Sequence, residues 1–326
     1  MKAFNAVVRM VTAVVLVAFV GCAGAQQAYP SRPIRLIVPF PPGGTTDPVA
    51  RLLAPALAER LGQPVIVDNR AGGNTIIGTE AVVKSKPDGH TLLILAHTNL
   101  VIRQLFGGLP YDVMKDLAPI ASTAKTELIL LANSSLPANN MQELIALAKS
   151  KPGQLNNGSV GSGGITHLAI ELLNIQAGIH IQNIPYKGAG PAMADVMSGQ
   201  VQVALVPPLS AFGFIKSGRL KGLAITGETR LLQLPQVATF AESGMPDFNP
   251  AYWYGMYAAA DTPKEIIDRL TNEIAKLIAT PDINEKLVSQ GLKPFYANPD
   301  KTAALMRADL DKYAKVIKTA NIKLEN

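Results

Sequence analysis

After Tyr29 the chain alternates short apolar runs, loops rich in Gly and Pro, and amphipathic stretches, a rhythm that predicts repeated β-α-β units. Ile34 to Val38 reads as the first strand. The loop that follows, ending Gly43-Gly44-Thr45-Thr46, leads into a helix for which Asp47 suits the N-cap and Pro48 the first helical position. Val49, Leu52, Leu53, Ala56 and Leu57 fall on one face of that helix, and Gly62 ends it. Val65 to Val67 predicts a strand, Ile76 to Lys84 a helix, and Leu92 to Leu95 a third strand after the turn Pro87-Asp88-Gly89. Leu128 to Leu131 reads as a strand leaving this block, and Asn140 with Glu143 has capping-box spacing for a helix from Met141 to Lys149.

A second series repeats the first. Strands are predicted at Asn157 to Val160, Ile181 to Tyr186, Val201 to Val206 and Leu220 to Thr226, with helices at Ile165 to Gln176 and Pro191 to Ser198. The aromatic run Tyr252 to Tyr257 is placed to carry the chain back to the first block, so two crossings join two lobes. The capping-box spacing Thr262 to Glu265 and the pair Asn298-Pro299 start helices in a C-terminal part that packs most simply on the first lobe. The expectation is an α/β protein with mostly parallel sheets: residues 26–126 and 250–326 form lobe one, and 127–249 form lobe two.

Composition agrees with two ordinary cores, since 48% of the 326 residues are hydrophobic and 17% are charged. Residues 1–25 carry Lys2 and Arg9, an apolar run and the small-residue site Ala23-Gly24-Ala25, the pattern of a cleaved secretory signal. Cleavage there removes Cys22, the only cysteine, and with it any disulfide or thiolate chemistry, and lowers the formal charge from +6 to +4. Lipid anchoring at Cys22 is the less favoured alternative, because Phe19-Val20-Gly21 suits such a site poorly. Basic and aromatic residues are scattered singly, so no nucleic-acid partner is expected.

Two glycine-rich loops follow predicted strands and open predicted helices, one in each lobe: Phe40 to Asp47, and Gly158 to His167. A helix N-terminus offers unpaired N–H groups and partial positive charge, glycine lets a ligand approach the backbone, and Ser or Thr hydroxyls add directional bonds. Either loop alone is equally well a plain strand-to-helix turn; one in each half favours an anion clamp between lobes. Neither loop ends in Gly-Lys-Ser/Thr or gives G-x-G-x-x-G, which excludes the nucleotide-binding patterns. Ser159 and Ser162 lack the glycine framing of a hydrolase nucleophile, and His90, His97, His167 and His180 are too dispersed for a metal site. Asn69 to Asn74, Ala96 to Asn99 and Pro185 to Gly188 also follow strands and are candidates to line the cleft, bringing in His97, Thr98 and Tyr186.

YPSRPIRLIVPFPPGGTTDPVARLLA, LGQPVIVDNRAGG, PDGHTLL, the segment Ser159 to Leu168, IPYKGAGPAMADVMSGQV and the Thr262 capping box together resemble the tripartite tricarboxylate transporter receptors, or Bug receptors, over essentially the whole chain after the signal. The resemblance implies a type II periplasmic-binding fold, a flytrap of two lobes joined by two hinge crossings. It implies a periplasmic, monomeric, non-enzymatic receptor with no cofactor, which hands a small carboxylate to integral membrane transporter subunits. Carried over, the ligand-binding set is Pro42, Gly43, Gly44, Thr45 and Thr46 in lobe one and Ser159, Gly161, Ser162, Gly163, Gly164 and His167 in lobe two, while Asp195 matches as a ligand contact or a helix support. Where the family commonly reads Gly-Gln-Val-Asp, this chain has Gly199-Gln200-Val201-Gln202; if that strand end faces the ligand, the lost acid disfavours amino acids. Two opposed loops favour a dicarboxylate. A sensor presenting its closed form to a membrane kinase, or a periplasmic hydrolase, remain the alternatives.

Overall fold

The computed structural model describes residues 29–322 apart from 44, 45, 74, 187 and 251, and also leaves the His97 side chain outside the description. The signal segment, Cys22, Gly44 and Thr45 therefore lie outside the described residues. The chain divides at Ser31, and Arg32–Asn326 forms the unit that carries the fold.

The first block runs β1 (Ile34–Val38), α1 (Thr46–Leu61), β2 (Val65–Asn69), α2 (Ile76–Val83), β3 (Thr91–Ala96), α3 (His97–Leu105) and β4 (Leu117–Thr126). The second runs β5 (Ile129–Asn133), α4 (Met141–Ser150), β6 (Leu155–Val160), α5 (Ile165–Ala177), β7 (Ile181–Tyr186), α6 (Ala189–Ser198), β8 (Val203–Val206), α7 (Phe212–Lys216) and β9 (Leu220–Ile225). The chain then returns through β10 (Trp253–Ala259), α8 (Lys264–Ile278), α9 (Pro281–Ser289), β11 (Leu292–Ala297) and α10 (Pro299–Thr319).

Two sheets result, a six-stranded one in the order β11-β4-β10-β3-β1-β2 and a five-stranded one in the order β7-β6-β8-β5-β9. Each lobe has its own apolar core, around Leu93, Leu95, Trp253 and Tyr257 in the first and Ile129, Leu131, Val206 and Val237 in the second. The inner strands β3, β5, β8 and β10 are buried along nearly their whole length, so they read as unbroken apolar runs rather than alternations. The sheet-edge strands β7 and β11 contain Pro185 and Pro294, which a strand tolerates where its N–H row is not paired on both sides.

The sheets are more mixed than the sequence pattern predicts. β10 pairs antiparallel with β3 and β4, β11 with β4, and β5 with both β8 and β9. The cause is the double crossing: a strand that enters a lobe from the junction runs against strands that end there. β4 ends at Thr126 and β5 begins at Ile129, so the chain passes from one sheet to the other almost without leaving extended structure. β1, β2 and β3 run the same way as β4, and β6, β7, β8 and β9 all run against β5. The carboxyl ends of these strands therefore lie on the sheet edges that meet at the crossing.

Asn140 caps α4 by accepting the Glu143 N–H at 2.9 Å, and Asn298 caps α10 by accepting the Lys301 N–H at 2.9 Å, each bond of a kind worth about 1 kcal/mol. The Thr262 capping box does not form. Pro263 is the N-cap of α8, one residue later than the spacing suggests, and the buried Thr262 hydroxyl donates to the Ala259 carbonyl at 2.7 Å instead. α8, α9 and α10 pack on the first sheet or its helices, and α10 and α3 also meet α5 of the other lobe. No helix among the described residues is long and apolar enough to cross a membrane.

Candidate functional site

The β1-α1 and β6-α5 loops leave the carboxyl ends of their strands at the edges that meet at the crossing. In the first, Pro42 and Gly43 are exposed and Gly43 adopts a left-handed backbone, φ +79°, with open space where a Cβ would sit. The Gly43 N–H donates to Asp47 Oδ2 at 3.0 Å. The sequence places Asp47 at the N-cap; it lies instead inside the first turn of α1, which begins at Thr46, and its carboxylate reaches back to the loop. It also accepts Asn69 Nδ2 at 2.9 Å on Oδ1 and Arg51 Nε at 3.0 Å on Oδ2. Asn69 further donates to the Phe40 carbonyl at 3.1 Å, and its Oδ1 accepts Arg51 at 3.0 Å. Burial pushes the Asp47 carboxyl up, but the bonds from Arg51, Gly43 and Asn69 outweigh it and hold it below the usual carboxylate range. Thr46 is fully buried at the start of α1, and its hydroxyl has no hydrogen-bond partner among the described residues.

The lobe-two loop is held by neutral groups. Val160 N–H donates to Thr166 Oγ1 at 2.8 Å, Gly161 N–H to the Tyr186 carbonyl at 2.8 Å, and Gly163 N–H to His167 Nδ1 at 3.0 Å. Burial pushes the His167 imidazole down to about 4, so at neutral pH it is uncharged, with Nδ1 as acceptor and the proton on Nε2, which lies 3.8 Å from Glu171. Ser159 is fully buried and its hydroxyl donates to the Gly161 carbonyl at 3.4 Å. Ser162 is half-exposed, and Gly164 is the N-cap of α5 with no side-chain cap.

At the neighbouring strand ends, Thr98 is buried in the first turn of α3. Tyr186 closes β7, and its phenol donates to Asp195 Oδ2 at 2.6 Å, which joins β7 to α6 and gives Asp195 a supporting contact. Burial and the Asp195 carboxylate push that phenol up to about 12. Gln202 is elsewhere: it precedes β8, accepts the Asn156 N–H at 3.0 Å and donates to the Gly199 carbonyl at 3.1 Å. Asn156 is near the amino end of β6, some four residues and roughly 13 Å from the loop that follows Val160. The missing acid at Gln202 thus says nothing about the ligand.

Sequence reading overlooked Asp47, Arg51 and Asn69 as a unit, though an acid and an arginine four apart in the first turn of a helix were a visible signal. It also overlooked Thr75, the residue before α2, which is buried with φ +81° and a hydroxyl that has no partner among the described residues. A β-branched residue rarely takes that conformation, and the sequence does not announce it.

Two α/β lobes joined by a double crossing, with a glycine-rich helix-opening loop from each at the junction, define the architecture of a two-lobe solute-binding receptor. The model of the Tripartite tricarboxylate transporter family receptor matches residues 49–322, and the chain belongs to this family of periplasmic solute-binding proteins. Protein BugT of Bordetella pertussis is 37% identical over 315 residues, spanning 95% of this chain and 97% of BugT. Among solved structures, R. palustris Rpa4515 with adipate is 31% identical with a TM-score of 0.83, covering 90% of this chain and 99% of that one. MatC (Rpa3494) from Rhodopseudomonas palustris with bound malate is 28% identical with a TM-score of 0.78, covering 89% and 100%.

Proposed function

We propose that this protein captures a small dicarboxylate between its lobes, on the β1-α1 and β6-α5 loops, and delivers it to the membrane subunits of a tripartite tricarboxylate transporter. The observation that carries this reading is the presence, in each lobe, of one glycine-rich loop at the start of a helix, both on the edges that meet at the crossing. Each loop is fixed from behind by a side chain of its own helix, which leaves a preorganised rim of dipoles and hydroxyls toward the cleft. Two relatives of the same fold bind adipate and malate, both dicarboxylates, which supports the ligand class. The ligand set is Pro42 to Thr46, His97, Thr98, Ser159, Gly161 to Gly164, His167, Tyr186 and Asp195, with the last two acting through their mutual bond. Residues 1–25 export the chain to the periplasm, where the receptor works as a monomer. Neutral dipoles hold an anion without a tight ion pair, so release to the membrane partner costs little.

Turnover is not part of this function. His167 Nδ1 is committed to the Gly163 N–H and is therefore withdrawn from Ser162 as a base.

Calorimetry with adipate, malate, citrate, aspartate and an uncharged diol tests the reading. Saturable binding of a dicarboxylate, lost in Gly43→Val and in Gly163→Val while both variants still melt cooperatively, is the expected result. Binding of the diol alone, or dicarboxylate binding indifferent to both substitutions, would overturn it.

A further inference from the structure

Glu127 is the one residue between Thr126, where β4 ends, and Leu128, which leads into β5, and it is 7% exposed. Its Oε1 lies 2.9 Å from Lys293 Nζ, on lobe one's edge strand β11. Its Oε2 accepts the Thr226 hydroxyl at 3.2 Å, just after lobe two's β9. Thr226 is itself anchored to the crossing, donating its N–H to the Leu128 carbonyl at 2.8 Å and accepting the Leu128 N–H on Oγ1 at 2.8 Å. Gly227 follows with φ +96°, and a Cβ there would fall within 2.5 Å of both Glu127 carboxylate oxygens, so only glycine lets the chain pass over the carboxylate. Thr126 fixes the lobe-one side, donating its N–H to the Tyr252 carbonyl at 2.8 Å and its hydroxyl to the Gly291 carbonyl at 3.2 Å.

The geometry points to a latch: the Glu127 carboxylate, gripped by Lys293 of lobe one and Thr226 of lobe two, sets the resting angle between the lobes. A buried carboxylate needs both partners, so a change of angle that separates one oxygen from its donor is resisted, and the pivot is confined to the neighbouring Thr126-Leu128 and Thr226-Gly227 segments. Beside the latch lies a cavity of about 340 Å³ lined from lobe two by residues including Arg230 and Leu231 and from lobe one by Gly291, Leu292 and Lys293. One bond crosses this space, Gln233 Nε2 of lobe two donating to the Val288 carbonyl of lobe one at 2.7 Å, so the angle changes by breaking that bond rather than by tearing apart a packed core. The latch rests on the two-lobe capture reading, because a fixed resting angle matters only if ligand binding changes it. Ligand affinity then scales with the fraction of molecules at the binding-competent angle.

The test is made without ligand. Nitroxides are placed at Lys86→Cys and Lys149→Cys, exposed positions on the two lobes, with Cys22→Ser removing the only native cysteine. Pulsed electron resonance then reads the distance distribution between the lobes. Glu127→Gln and Lys293→Met should each shift or broaden it, and the exchanged pair Glu127→Lys with Lys293→Glu should bring it back toward the parent. Lys293→Met keeps the aliphatic stem and leaves the Thr226 bond intact, so it reports on the latch even where Glu127→Gln does not fold. Distributions for Lys293→Met and every folded Glu127 variant that superimpose on the parent would overturn the latch. Because ligand is absent, failure of every dicarboxylate to bind sinks the proposed function without deciding this result.

Discussion

The two loops solve one structural problem with different electrostatics, one through a charged acceptor and one through a neutral acceptor. In each, the left-handed glycine N–H is tied to a side chain four residues later, in the first turn of the following helix: Gly43 to Asp47 in lobe one, Gly163 to His167 in lobe two. In lobe one the acceptor is a carboxylate, so α1 begins with an anion of its own, balanced by Arg51. In lobe two it is a neutral imidazole, and the first turn of α5 holds no acidic residue. A helix N-terminus carries about half a positive charge; at α1 it meets the Asp47 carboxylate, which Arg51 in turn pairs, and at α5 it meets no side-chain charge in the first turn. On the proposed reading, α5 meets a bound anion with neutral groups alone, whereas at α1 the anion also faces the charges of the Asp47–Arg51 pair.

The largest effect that would sharpen this contrast is at Asp47. Asp47→Ala strips an acceptor from Gly43, Asn69 and Arg51 at once and should destabilise the protein by about 3 kcal/mol. Urea titration measures it. A loss below about 1 kcal/mol would mean that the carboxylate does not organise the loop.

Acid should distinguish the loops next. The folded pKa of His167, about 4, lies below its unfolded value near 6.5, so the unfolded chain binds more protons between those limits and stability falls as pH drops through that window. At pH 4.5 this one group costs roughly 2.5 kcal/mol relative to neutral pH. Asp47 has a lowered folded pKa, so its contribution is present above the unfolded value near 4 and is lost only as pH falls further. His167→Gln keeps an acceptor for Gly163 but cannot titrate. Its melting temperature should fall less than the parent's between pH 7 and pH 4.5, and parallel curves for the two proteins would remove the neutral-imidazole account.

Much of this was legible from the chain, and what escaped has identifiable reasons. Glycine and proline punctuation located both loops, and apolar runs located β1, β3 and β7 closely. β4 and β11 were missed because Pro119 and Pro294 interrupt them; Pro119 sits beside a register shift against β10, and Pro294 lies on a sheet edge. The Asp47-Asn69 and Glu127-Lys293 contacts span 22 and 166 residues, distances over which local periodicity carries no signal. The positive φ of Thr75 is set by its surroundings, so no propensity rule marks it.

The smallest effect is the most discriminating, because the two helices carry equivalent threonines in different employment. Thr166 accepts the Val160 N–H, whereas the buried Thr46 hydroxyl has no partner among the described residues. Valine is close to threonine in shape, so each substitution isolates the hydroxyl. Thr166→Val strands a backbone N–H and should cost about 1–2 kcal/mol of stability. Thr46→Val removes an orphaned polar atom and should leave the protein as stable or more stable by up to about 1 kcal/mol. If Thr46 is a ligand contact, the same change lowers dicarboxylate affinity by about tenfold, the cost of one hydrogen bond to a charged group. Melting and calorimetry on the two variants separate these outcomes. A Thr46→Val protein that loses stability and keeps its affinity would show that the hydroxyl serves the fold, and Thr46 would leave the ligand set of lobe one.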